Sequence, residues 1–355
     1  MTGTELIPHP DTLQVHWLIF EILLIVTFVL HLLLMNVMLG GSILAAVSGW
    51  KRGRVPEEAH ELPITIALAV NFGVPPLLFV QVLYGHLFYT SSVLMGAFWL
   101  SVIPVLLIAY YAAYLSVHNL KKPISALWST VSAVLLLFIA FVYVNNMTLY
   151  LDQGNWPEWF DNRSGTILNL SEPSLWPRYL HMVVGALAVT FMSWAVWGWY
   201  REKRGGPPAK EQIERGLKMF WMFSALEVLL GVAWLVTLPK DVMMLFMGKS
   251  AYASVLLMLG VLLSLFMIML ALMKKLWPTF ISLIVTMLVM ILLRDVVRGG
   301  YLSQVFSPGE LEVKLSISPL ILFLVSFVVG LGVLAWMLIT ALDPRQRIDE
   351  AGGES

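Results

Sequence analysis

Nine apolar runs, each long enough at about 20 residues to cross a hydrocarbon core of roughly 30 Å, recur along this chain. They lie near Trp17–Trp50, Ile64–Tyr89, Val93–Leu115, Ile124–Leu149, Leu175–Tyr200, Met219–Leu238, Tyr252–Met273, Trp277–Val297 and Pro319–Leu342. Inside lipid every backbone N–H and C=O must be satisfied within the protein, which leaves runs of this length one solution, the α-helix. The expected fold is an all-α integral membrane protein, a bundle of about nine transmembrane helices. Composition agrees: 59% of the 355 residues are hydrophobic and 12% charged, against about a quarter charged in ordinary soluble domains. The opening segment, MTGTELIPHPDTLQVHW, has no basic stretch and leads into a run too long for a signal-peptide core, so it reads as a retained first span.

Orientation follows from the basic residues, which collect in cytoplasmic loops. With the N-terminus outside and the C-terminus cytoplasmic, the inner loops carry Lys51, Arg52 and Arg54, then Lys121 and Lys122, then Arg201, Lys203, Arg204, Lys210, Arg215 and Lys218, then Lys274 and Lys275, then Arg345 and Arg347. The largest outer loop instead bears Asp152, Glu158, Asp161 and Glu172 among Trp156 and Trp159. No loop is long enough for a folded domain, so residues 1–355 form a single bundle, with the outer segment 151–175 as a candidate partner-docking surface or an interfacial aromatic belt. Lys+Arg and Asp+Glu both total 22, a balance that argues against a nucleic-acid partner.

Polar side chains at membrane depth are costly and mark function by default. His31, His181, His86, Met258, Asp295 and Arg298 all fall toward the outer side, on five different helices. With no cysteine in the chain, thiolate sites, iron–sulfur clusters and covalent haem attachment are excluded. Several intramembrane histidines then suggest non-covalent haem b, held between helices by axial imidazoles. Each residue also has a plainer reading. A lone membrane histidine serves as often in an interhelical hydrogen bond, any one of 19 methionines is more often core filling, and Asp295 with Arg298 makes an ordinary i,i+3 ion pair. His9, His60 and His118 lie in loops or tails.

The order of these residues resembles subunit I of the cytochrome bd-type quinol oxidases. HLLLMNVMLGGSILAA is similar to that family's first helix, with its His followed nine residues later by Gly. ISALWSTVSAVLLLFIAFVYVNNM resembles its fourth span, WPRYLHMVVGALAVTFMSWAVWGWY its fifth, LLMLG its seventh and RDVVRGGY its acidic-x-x-Arg motif in the eighth. The resemblance implies that His31 ligates an active-site haem and that His181 and Met258 hold a low-spin haem between them. It also puts Asp295 at the position of an iron-associated glutamate, with Arg298 its neighbour. Three departures stand out. The two glutamates that the family associates with proton delivery are Val93 and Ser101 here, only PKDVMMLFMGKS stands where the family has its long quinol loop, and His86 has no counterpart.

The expected function is therefore a haem b subunit of a respiratory electron-transfer complex in a bacterial or archaeal cytoplasmic membrane. Electrons would pass between membrane quinol and a periplasmic c-type cytochrome, with other membrane subunits alongside. Arg298 and Arg178 are expected on haem propionates, for which a guanidinium fork is suited, and Glu21 and Glu227 are proton-relay candidates. Two alternatives stay open. One is a divergent terminal oxidase reducing O2 to water, with Ser101 and ordered water replacing the carboxylate path, and the other is a haem-free membrane anchor or transporter.

Overall fold

The computed structural model describes residues 2–120, 122–314 and 317–342; Lys121, Arg345 and Arg347 of the basic inner loops lie outside the described residues. Nine long helices follow in order: α1 (Trp17–Arg52), α2 (Leu62–Leu94), α3 (Gly96–His118), α4 (Ile124–Leu151), α5 (Leu175–Lys203), α6 (Lys210–Thr237), then, after the short α7 (Lys240–Met244), α8 (Ala251–Leu272), α9 (Leu276–Leu302) and α10 (Ile317–Leu342). Among the described residues, eight helices, α1–α6, α8 and α9, are long and apolar enough to cross a membrane, and α10 adds 26 helical residues over the ninth apolar run. No strand forms among the described residues; a lone parallel bridge joins Leu13 to Val313. The expected all-α membrane bundle is thus the fold observed.

Local chemistry sets the helix ends. The His16 side chain accepts the Leu18 N–H at 3.2 Å at the start of α1, Gly53 closes it in the left-handed region (φ 68°), and the Ser250 hydroxyl accepts the Ala253 N–H at the start of α8. A single residue, Met95, separates α2 from α3. The chain turns there under the 152–174 loop, where Ala97 N–H donates to the Gly165 carbonyl at 2.9 Å and Ile167 N–H to that of Leu94 at 3.1 Å. Gly165 has φ +70°, and a Cβ on it would lie 3.0 Å from the Ala97 nitrogen, so this contact requires glycine twice over.

Helices pair as neighbours in sequence, α1 with α2, α3 with α4, α5 with α6 and α8 with α9, while α1 also packs on α4, α5 and α9. Away from the 152–174 loop the packing is close. Leu39, Gly40, Gly41, Ser42, Ala45, Ala46 and Gly49 of α1 are buried, and small residues let membrane helices approach by dispersion alone. A Cβ on Gly40 would overlap the Ala186 carbonyl of α5, and one on Gly49 would come 2.8 Å from Ala126 Cβ of α4.

Toward the loop end the interior opens. None of the α1 residues 25–35 is buried, although α1 packs on α2, α4, α5 and α9, and no α6 residue after Ser224 is buried either, α6 packing mainly on α5 and α8. Val26 and Leu30 face outward, and Phe28, His31, Leu32 and Met35 are only half-buried. Over this looser region sits a cap whose core includes Leu13, Met95, Leu149, Trp156, Ile167 and Leu302.

Candidate cofactor-binding site

His31 and His181 hang inside the open end of the bundle, each tied to the neighbouring helix in the same way. His31 Nδ1 lies 3.0 Å from the Ala69 carbonyl of α2, and His181 Nδ1 lies 3.2 Å from the Glu227 carbonyl of α6. A carbonyl only accepts, so Nδ1 carries a proton in both rings and donates it. Four residues beyond each carbonyl stands a glycine facing the ring. A Cβ on Gly73 would come 2.8 Å from His31 Cε1, and one on Gly231 would come 3.6 Å from His181 Cε1. At Gly73 the absent side chain lets the imidazole reach its carbonyl, whereas at Gly231 a Cβ would make an ordinary contact.

A cation over an aromatic ring accompanies each imidazole. Phe28, one turn before His31, has its ring 6.2 Å from the imidazole, and the Arg294 guanidinium lies over that ring at 4.4 Å. Trp234 has its ring 6.1 Å from His181, and the guanidinium of Arg178, one turn before His181, lies over it at 5.1 Å. The two sites share a height. Gly40 of α1 meets Ala186 and Thr190 of α5, and from that contact both histidines lie about 8–14 Å toward the loop end at 1.5 Å per residue.

The remaining candidates separate. Arg298 is committed to carboxylates: it bonds Glu21 at 2.8 Å and Asp295 on its own helix, and its guanidinium covers the Tyr84 ring at 4.4 Å. The plainer reading of Asp295 and Arg298 as an ion pair is the one the geometry supports, with Glu21 as a second partner that sequence spacing does not reveal. Glu227 carries its carboxylate to 3.5 Å from His181 Nε2, in a notch left by Gly185, where a Cβ would lie 2.7 Å from Oε1. Met258 is 58% exposed, on the face of α8 opposite the buried row Ala253, Leu256, Gly260, Ser264 and Met267, so the structure does not bring it to His181. His86 packs edge-on against Phe306 at 4.4 Å and has no contact with either imidazole among the described residues. Ser101 donates back to Phe98 of its own helix at 2.6 Å.

Sequence reasoning overlooked Arg294, Gly73, Gly231, Phe28 and Trp234. Arg294 stands beside Asp295 and was the detectable one, as a further basic residue within an apolar run. The outer segment is also more structural than its composition suggests. Trp156 is buried, with its indole N–H on the Leu149 carbonyl at 2.9 Å, and Glu172 accepts the hydroxyls of Ser174 at 2.7 Å and Tyr301 at 3.1 Å. Glu158 and Asp161 remain exposed, beside exposed Arg163.

Among the described residues no three of His, Asp and Glu gather into a cage for a bare metal ion, so each imidazole stands as a single potential ligand. A bond from Nδ1–H to a backbone carbonyl is the support that metal-binding imidazoles commonly carry; at His181 the Glu227 carboxylate stands at Nε2, so a ligand there would displace it. Taken alone, that bond would also serve as a simple tie between helices. A cation beside each imidazole goes beyond a tie: Arg178 stands one turn before His181, and Arg294 reaches the ring beside His31 from α9, a pairing of nitrogen donor and cation that an anionic, metal-bearing group would need. The sequence matches no protein-family model and no curated protein.

Proposed function

We propose that this chain is a haem b subunit of a membrane electron-transfer complex, with His31 and His181 as axial ligands of two non-covalently held haems. The observation that carries the reading is the matched setting of the two imidazoles, each with Nδ1–H on a main-chain carbonyl and Nε2 directed away from it. Haem bound there would supply one-electron chemistry between ferric and ferrous iron. The chain's own contribution is to fix the tautomer and angle of each imidazole, to exclude bulk water with Phe28, Trp234 and the capping loop, and to place cations nearby. Quinol is the electron donor in this reading, the partners are further membrane subunits and a c-type cytochrome docking at Glu158 and Asp161, and the setting is the cytoplasmic membrane of a bacterium or archaeon.

One observation favours the oxidase alternative. Met258 faces out of the bundle, and a haem with a single protein ligand keeps a position open to oxygen. The hydroxyl of Ser101, turned back on its own helix, argues the other way, because it is not presented as a replacement for a proton-conducting carboxylate.

Optical spectra of the detergent-purified protein, oxidised, dithionite-reduced and reduced with carbon monoxide, test the proposal. The expected outcome is b-type bands in the parent, with one component lost in His31→Ala and the other in His181→Ala, and little response to carbon monoxide. A strong carbon monoxide shift that disappears with either histidine supports the oxidase. A colourless parent protein removes haem from the account and leaves an anchor or transporter.

A further inference from the structure

Three arginines, Arg178, Arg294 and Arg298, face the open end, and among the described residues only Arg298 forms an ion pair; Glu172 acts on Arg178 and Asp295 on Arg294 from beyond that distance. Arg298 has Glu21 and Asp295. Arg294 has no carboxylate within ion-pair distance among the described residues, and its hydrogen bond is to the thioether sulfur of Met147 at 3.5 Å, a weak acceptor. The Arg178 side chain likewise makes no ion pair among the described residues, and its Nε is buried without a hydrogen-bond partner. A guanidinium presents five N–H donors and cannot shed its charge, so leaving one without an anion inside a membrane bundle is expensive. Arg178 and Arg294 also repel each other, which adds to the demand for anionic charge at this end. Their positions are equivalent: each covers an aromatic ring next to an imidazole, at 4.4 Å for Arg294 on Phe28 and 5.1 Å for Arg178 on Trp234.

We propose that Arg294 and Arg178 are the anion-recognising residues of the His31 and His181 sites, each taking a carboxylate of the haem on the neighbouring imidazole, while Arg298 is a structural cation held by Glu21 and Asp295. This rests on the haem reading above. It reassigns the propionate role of Arg298 to Arg294, which lies outside the motif-like pair. The guanidinium's planar fork matches a carboxylate, and its charge favours the reduced, less positive iron, so removing it lowers the midpoint potential.

The test is a spectroelectrochemical titration of the full-length protein with haem content measured alongside. Arg294→Gln is expected to lower the midpoint of the component assigned by His31→Ala, by about tenfold in the reduction constant or about 59 mV for one electron. Arg178→Gln should do the same to the His181 component, and Arg298→Gln should move neither. Where Arg294→Gln fails to accumulate, Arg294→Lys keeps the charge but loses the fork. The resonance Raman band for propionate bending should then shift for the His31 haem alone. Haem present with both midpoints and the Raman band unmoved overturns this assignment and spares the haem reading. A shift with Arg298→Gln instead overturns it too. Loss of bound phospholipid phosphorus in Arg294→Gln, with midpoints unchanged, identifies the anion as a lipid phosphate and likewise overturns it. A parent protein without haem removes both proposals together.

Discussion

At the scale of single residues the two glycines beside the imidazoles differ, although each follows its accepting carbonyl by four residues. At Gly73 a Cβ would press to 2.8 Å from the His31 ring, while at Gly231 it would sit at an ordinary 3.6 Å from His181. Gly73→Ala is therefore expected to push His31 off the Ala69 carbonyl and to cost about 1–3 kcal/mol, the usual range for overpacking, with loss of the His31 spectral component. Gly231→Ala should leave both the spectrum and the thermal midpoint near those of the parent, since it also removes a flexible residue from a helix. Equal effects of the two substitutions would show that the close approach at Gly73 is not real. Neither glycine is distinguishable in the sequence, because what each one faces comes from a different helix. The second carboxylate of Arg298 is hidden for the same reason: Glu21 is 277 residues away.

Among the elements, the helices themselves were almost fully legible, since lipid demands long apolar runs and each of the nine runs became a helix. The exception in extent is α6, which begins at Lys210 rather than near Met219; its first two turns, KEQIERGLK, are polar and extend the helix past the apolar stretch that hydropathy detects. The orientation of each helix about its own axis was not legible. A lipid-facing position and a core position are both apolar, so α8 offers no amphipathic signal to say that Met258 lies on the outer face. The α1–α5 seam does carry a sequence trace, the small residues of MLGGSILAA. There Gly40→Val should destabilise the protein by about 1–3 kcal/mol, because its side chain has only the Ala186 carbonyl and Thr190 to displace. Thermal unfolding in detergent measures it, and an unchanged midpoint would mean that the two helices do not meet there.

Across the whole molecule, packing is graded from a close-fitted end rich in Gly, Ala and Ser to an open end closed by the 152–174 loop. The cap is held from within by Trp156, 1% exposed, and by Asn155 donating to Asn169 at 2.7 Å. Trp156→Ala is expected to cost about 3–5 kcal/mol and to speed proteolysis within the loop, whereas Glu158→Gln with Asp161→Asn should leave stability unchanged and weaken only the docking of a basic partner. Limited proteolysis with a thermal melt separates the two. A loop in Trp156→Ala as resistant as the parent's would place its anchorage elsewhere. Acidity and tryptophan content alone had merged an anchor and a surface into one segment.

Gly40 has one more consequence. The helices bearing the two imidazoles touch where this residue has no side chain, so the gap between the two proposed redox centres is set by a missing methyl group. Tunnelling falls off exponentially with distance, and a bulkier residue that wedges α1 from α5 would slow electron exchange between the sites without altering either of them.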